Sequence, residues 1–257
     1  MSPMRLRSSI WLARAALFLT MIVVWQLIST SSNYARFFVG SPVRVADVMW
    51  TWFASGEIYH HLAITLVETL LAFAIGTGSA LLVGLWLALS PFWSAVSDPF
   101  IKAVNTMPRL ILAPIFAVWF GLGIWSKVAL GVTIVFFVVF FNVFQGIREV
   151  SPVFLANVRM LGASRTQLIR RVYIPSAMSW VFSSLHMSVG MAFVGAVIGE
   201  YLGSAAGIGY LILQAESTFD IDTVIAGILV LTIFALALDA AVTRAERHLL
   251  SWRGDSD

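Results

Sequence analysis

Three ionisable side chains stand inside or at the edge of otherwise uncharged, apolar stretches: Glu68, His186 and Asp239. Such groups are costly among apolar neighbours, so each either moves protons or is bonded to a polar partner. Glu68 lies one or two turns into one apolar segment and Asp239 one turn from the end of another. Together they have the placement of proton sites in an ion-coupled secondary carrier. The competing reading is that both carboxylates reach interfacial water or a polar helix contact. For His186 the two readings are a functional proton group and a neutral ring hydrogen-bonded between helices.

Other chemistry finds no constellation. The histidines His60, His61, His186 and His248 form no H-E-x-x-H or other ligand spacing, and His60-His61 reads as an interfacial pair. There is no cysteine, which excludes disulfides and thiolate metal sites. Neither lysine, Lys102 or Lys127, lies in a G-x-x-x-x-G-K-[ST] sequence, so this chain has no P-loop for ATP. The glycines at 199–209 are not preceded by a strand and make no dinucleotide fingerprint. The chain reads as a non-enzyme, with no metal or cofactor of its own.

Residues 148–175 carry a different signal. Ser151-Pro152 is an N-cap followed by proline at the first helical position. Phe154, Val158 and Leu161 form an apolar stripe at i, i+4 and i+7. Gly162 suits a helix C′ position, where a left-handed backbone costs glycine nothing. Ser164-Arg165-Thr166-Gln167 is a capping box that opens a second helix, with Leu168 and Val172 on one face and Arg170 and Arg171 elsewhere. Pro175 marks a bend into the next apolar run. This basic pair of short helices either rests on anionic lipid or docks a partner. The paired caps and the glycine turn favour docking.

The surroundings explain why such a loop stands out. Of 257 residues, 60% are hydrophobic and 11% charged, against about a quarter charged in soluble domains. Uncharged runs such as Ala15–Ala35, Leu110–Ser126, Val128–Ile147, Ile174–Gly199 and Thr223–Leu238, with another from Thr69 up to Asp98, approach the roughly 20 residues of a helical crossing. The expected fold is all-α and polytopic, with six transmembrane helices. It forms a single transmembrane domain over 1–257, with a core of about 60–247 and a cytoplasmic loop at 148–173. With both termini cytoplasmic, Arg5, Arg7, Arg14, Lys102, Arg109, Arg148, Arg159, Arg165, Arg170, Arg171, Arg244, Arg247 and Arg253 fall inside. Only Arg36, Arg44 and Lys127 fall outside, as the positive-inside rule requires. The basic balance reflects this topology and not nucleic-acid binding.

The first segment lacks an A-x-A cleavage site and reads as a retained helix over about 12–30. Val43–Phe53 reads as a short interfacial helix with Trp50 and Trp52 at headgroup depth. Helix two, about 62–90, carries Gly76, Gly78, Ser79, Ala80 and Gly84, small residues that permit close helix approach in lipid. After an inner turn, a third span flanked by Pro108 and Pro114 and finishing at Trp119–Gly123 is expected, with these prolines as kinks or breaks. Helix four follows at about 126–147, helix five at 174–199, a re-entrant or interfacial piece at Gly199–Ile212 and helix six at 222–243.

L-A-N-V-R-M-L-G-A-S-R-T-Q-L-I-R-R-V-Y-I-P at 155–175 resembles the EAA motif of inner-membrane permeases of binding-protein-dependent ABC importers. Gly162 and Ile174-Pro175 match, while Ala156 stands where the motif has its glutamate. G-S-P-V-R-V (40–45), T-L-V-E-T-L-L-A-F (65–73), M-P-R-L-I-L-A-P-I-F-A-V-W-F-G-L-G-I-W-S-K (107–127) and G-E-Y-L-G-S-A-A-G-I-G-Y-L-I (199–212) resemble the nitrate/sulfonate/taurine branch, in order, over roughly 40–250. The resemblance implies the MetI-like ABC permease fold in the bacterial inner membrane. It implies a second, identical permease subunit, a cytoplasmic ATPase dimer holding ATP and Mg, and a periplasmic or extracellular solute-binding protein. It also implies import of a small anionic solute such as a sulfonate, nitrate or taurine. Docking to the ATPase would fall on Arg159, Leu161, Gly162, Ala163, Ser164, Arg165, Gln167, Leu168, Arg170 and Pro175. Polarity and depth single out Thr65, Glu68, Ser188 and Glu200 for the solute path.

Overall fold

The computed structural model describes the backbone of residues 3–249 and the side chains of 9–176, 180 and 186–245. The charge assignments at Arg5, Arg7, Arg247 and Arg253, and His248, lie outside the described side chains. All regular structure among the described residues is helical. Five helices among the described residues are long and apolar enough to cross a membrane, or six if one bent pair forms a span.

The chain begins with α1 (Pro3–Ser31), the short α2 (Asn33–Val39) and α3 (Pro42–Ser55). Ser32 caps α2 by accepting a hydrogen bond from the Ala35 N–H at 3.0 Å, and Pro42 occupies the first turn of α3. α3 covers the expected interfacial helix, whereas α2 is an addition. The next elements are α4 (Glu57–Ala88) and α5 (Pro91–Thr106). A 3₁₀ turn at Arg109–Ile111 leads into α6 (Leu112–Phe120).

Here the expectation of an inner turn before the third span is corrected. Residues 91–106 are helical, and the pair Pro91–Thr106 and Arg109–Phe120 is bent by 79°. The cause is Pro108, whose ring forces Met107 into an extended conformation (φ −66°, ψ 131°) and ends α5. Pro114, by contrast, falls in the first turn of α6, where its missing N–H costs nothing.

Beyond α7 (Ile124–Arg148) come α8 (Pro152–Met160) and α9 (Arg165–Leu168). α10 (Ile174–Gly203), α11 (Ile208–Ser217) and α12 (Ile221–Leu249) complete the chain. α10 runs past its expected end, and α12 past both of its ends. Pro175 does not bend the chain into α10 through a loop. A π-turn at Ile169–Tyr173 joins α9 to α10, with the Ile174 N–H donating to the Ile169 carbonyl. The widened turn accommodates the proline ring, which would crowd the preceding carbonyl of a regular α-helix.

The contacts divide the chain into two compact units. One comprises residues 1–60 and 211–232. In it, the Trp25 indole N–H donates to the Val39 carbonyl at 3.0 Å, and the Ser41 N–H donates to Asp222 Oδ1 at 2.6 Å. A Cβ added at Gly40 would stand 2.8 Å from that same oxygen.

The second unit comprises 61–210 and 233–257, and its core forms where α4, α7 and α10 cross. A Cβ at Gly131 of α7 would stand 2.6 Å from the Ala72 Cβ of α4, and one at Gly195 of α10 would stand 2.6 Å from the Gly131 Cα. Further along, Gly76 faces Val135 and Gly84 faces Val143, at 2.8 and 3.0 Å by the same measure. Ala72, Ala80, Val135, Val139, Val143 and Ala192 are wholly buried there. In lipid, where no hydrophobic force separates one apolar surface from another, this close van der Waals contact is what holds helices together. Gly131→Ala is therefore expected to lower the melting temperature of the purified protein, because overpacking costs about 1–3 kcal/mol. Gly78→Ala, with nothing within 4 Å, is expected to leave it unchanged or raise it. Tryptophan fluorescence during heating measures both.

Candidate functional site

The loop between α7 and α10 is built as its residues suggest. The Ser151 hydroxyl accepts from the Phe154 N–H, starting α8. The helix ends in a Schellman arrangement: the Gly162 N–H donates to the Arg159 carbonyl and the Ala163 N–H to the Val158 carbonyl. Gly162 adopts φ +84°, the left-handed conformation that glycine tolerates. Ser164 and Gln167 then form a reciprocal capping box: the Ser164 N–H donates to Gln167 Oε1 at 2.7 Å and the Gln167 N–H to the Ser164 hydroxyl.

This framework leaves side chains displayed rather than packed. Met160 and Leu161 are 86% and 87% exposed, and Val153 and Phe154 are exposed beside them. Arg159, Arg165, Arg170, Gln167 and Ser164 are exposed as well, and Ala163 is half-buried. No ion pair of Arg159, Arg165, Arg170 or Arg171 occurs among the described residues. Leu168 is the exception, being buried. It faces a cavity of about 520 Å³ between the Ala88–Pro91 turn and the loop, whose wall also includes Arg159, Arg165 and Tyr173. Tyr173 packs on the α4–α7–α10 core. Exposed Pro175 follows in the first turn of α10, and Ser176 donates to the Gly146 carbonyl of α7 at 2.7 Å.

Of the residues proposed for the solute path, the fold brings Thr65, Glu68 and Glu200 together and leaves Ser188 apart. Thr65, Glu68 and Glu200 are buried, and Lys127 is buried with them. Glu200 accepts from the Thr65 hydroxyl at 2.6 Å and from the Gly209 N–H at 2.8 Å, and shares a side-chain hydrogen bond with Glu68. The Ile208 N–H donates to Thr65 Oγ1 and the Gly207 N–H to His61 Nδ1, whose ring stacks on Tyr210. Gly207 has φ +106°, and a Cβ there would run into the Glu200 carboxyl group. Lys127 donates to the Leu122 and Gly123 carbonyls and lies beside the two carboxyl groups. The cluster thus fastens the turn after α10 to α4 and α7.

Lys127 is the residue that sequence reasoning misses. The charge topology assigns it to an outer loop, yet it is fully buried. The signal for it is its position, a lone lysine at the start of a long apolar run. Ser188 is buried 12 positions before Glu200 on α10. Glu68 and Asp239 do not meet. Asp239 Oδ1 instead lies 2.7 Å from His186 Nε2, a contact between α10 and α12.

Comparison with known proteins places this geometry. Residues 80–251 match the family described as binding-protein-dependent transport system inner membrane component. The putative aliphatic sulfonates transport permease protein SsuC of Bacillus subtilis is 31% identical over 95% of this chain and 88% of its own. The formylaminopyrimidine transport permease protein ThiX of Halalkalibacterium halodurans is 32% identical over 92% and 94%. The taurine transport system permease protein TauC of Escherichia coli is 28% identical over 91% and 87%. Among solved structures, an inward-facing form of the MetNI methionine ABC transporter shares the fold, with a TM-score of 0.60 at 18% identity over 77% of this chain and 97% of that one. The relatives are transport permeases, and neither an enzyme nor an ion-coupled carrier fits that company. The chain belongs to the family of inner-membrane components of binding-protein-dependent transport systems.

Proposed function

We propose that this chain is the permease subunit of an ATP-driven importer of a small organic anion, working as a homodimer in a bacterial cytoplasmic membrane. The observation that carries the reading is the capped, glycine-turned loop with Met160, Leu161 and four arginines outward that make no ion pair among the described residues, a surface suited to a partner. In this reading residues 1–257 act as one permease domain with both termini cytoplasmic, and the loop docks on an ATPase dimer that holds ATP and Mg. A separate solute-binding protein delivers the solute from the other side. Relatives named for aliphatic sulfonates and taurine support a sulfonate-like solute.

The coupling route follows from continuity. α9, the π-turn and α10 form one uninterrupted helical run. Leu168 and Tyr173 anchor its start, and Ser176 ties it to α7. A displacement of α8 and α9 by the ATPase is therefore delivered to α7 and α10. At the far end of these helices Thr65, Glu68 and Glu200 hold the 204–207 turn. Being shielded from solvent, they shape the wall of the solute path rather than touch solute. The motif glutamate is absent at Ala156, so docking rests on the shape set by Gly162 and on Arg159, Arg165 and Arg170.

Replacing both Met160 and Leu161 with Asp is expected to abolish co-purification with the cognate ATPase while leaving the melting temperature of the permease unchanged. Uptake that persists without any ATPase and collapses with the proton gradient would refute the proposal. Gly162→Val imposes about 1–2 kcal/mol of left-handed strain with no clash, and is expected to reduce solute-stimulated ATP hydrolysis several-fold in reconstituted vesicles. Glu200→Ala strands the Gly209 N–H in a buried site, while Thr65 keeps the His61 carbonyl as an acceptor, a loss of about 1–3 kcal/mol. Glu200→Gln keeps an acceptor, so its drop in melting temperature should be clearly smaller.

A further inference from the structure

The end of α1 farthest from its N-terminus holds a cavity that transport coupling does not use. It encloses about 400 Å³ between Gln26, Ser29 and Thr30 of α1 and Ser32, Asn33 and Arg36 at the start of α2, and Ser41 closes it. Every lining side chain is polar. That is unexpected beside a helix whose apolar window is only 6% buried and whose neighbours Tyr34, Phe37 and Phe38 are exposed. Ser29 and Ser41 are 2% and 5% exposed, so polar groups have been drawn into the protein at this point.

The charges decide what fits. The carboxylate nearest the lining, Asp222, is already engaged: it accepts from the Ser41 N–H and lies 3.6 Å from the Arg44 guanidinium. Arg36 makes no ion pair among the described residues. No carboxylate lines the cavity. The Ser41 hydroxyl donates to Gln26 Oε1 and the Thr30 hydroxyl to α1 carbonyls, so what remains is the Arg36 fork of five N–H donors with the Gln26 and Asn33 amide N–H groups and the Ser32 hydroxyl, a donor set that holds a phosphate or sulfonate.

We propose that this cavity binds a tetrahedral oxyanion, from either an anionic lipid headgroup or a sulfonate solute. The site lies at the end of a lipid-exposed helix flanked by exposed aromatic side chains, which is the setting of membrane headgroups. The headgroup source uses only residues of α1, α2 and the start of α3, and the sulfonate source rests on the importer reading.

Native mass spectrometry of the delipidated full chain tests it, with phosphatidylglycerol, phosphatidylcholine and ethanesulfonate as probes. One saturable phosphatidylglycerol adduct is expected, with phosphatidylcholine at least roughly tenfold weaker. Losing one charge-assisted hydrogen-bond donor should weaken binding by roughly tenfold or more in Arg36→Ala, and Arg36→Lys should restore part of it. Ser29→Val, which keeps the guanidinium and fills the cavity, should weaken binding comparably. If ethanesulfonate binds with the same Arg36 dependence and displaces the lipid, the solute is the source; if it does not, the headgroup is. Equal binding of every probe to wild type and Arg36→Ala would overturn the proposal. So would loss in Arg36→Ala with full binding in Ser29→Val, since a surface charge alone would then suffice.

Discussion

The contact on which the second unit depends is the meeting of three backbones at Gly131. Ala72 of α4 lies against it on one side and Gly195 of α10 on the other, closer than any larger side chain would allow. Between apolar helices in lipid there is little to gain from burying greasy surface, because lipid tails are as apolar as leucine. Dispersion at short range and the exclusion of lipid must do what water does for a soluble core. That requires the absence of side chains at the crossing, and the valines and phenylalanines then pack on either side of it.

From this crossing α7 and α10 run together in both directions, and different chemistry closes each end. At one end Gly199 admits Lys127, and the buried Thr65, Glu68 and Glu200 hold the turn that leads into α11. At the other, Gly146 receives the Trp180 ring and its carbonyl accepts from Ser176. The loop of α8 and α9 attaches just beyond that second end. A buried ionic cluster contributes little net stability once desolvation is counted. Its effect is on geometry, since every member constrains the position of the next. The packed helix pair therefore connects the displayed loop to the polar turn.

Much of the loop is legible in the order of its residues because its devices are local. Ser151, Gly162 and the Ser164–Gln167 box each satisfy backbone groups within a few residues of themselves, so their chemistry is written in adjacent letters. The third span is not legible in the same way. Pro108 signals a break, but whether the chain continues straight or turns by 79° depends on what packs against either half. The π-turn before Pro175 is equally hidden, since a widened turn and a loop relieve the same proline clash.

The sequence by itself determined the class of protein, the positions of the caps, the basic loop and the small residues that would let helices meet. Those properties follow from composition and from interactions spanning four or five residues. Only the tertiary structure decided which small residues meet which partners, that Lys127 is buried, and that Glu68 joins Glu200 while Asp239 joins His186. Glu68 and Glu200 lie far apart along the chain, and no local pattern records that they share a site. An ionisable group in an apolar run announces that it needs a partner, but the identity of that partner is set by how the helices cross.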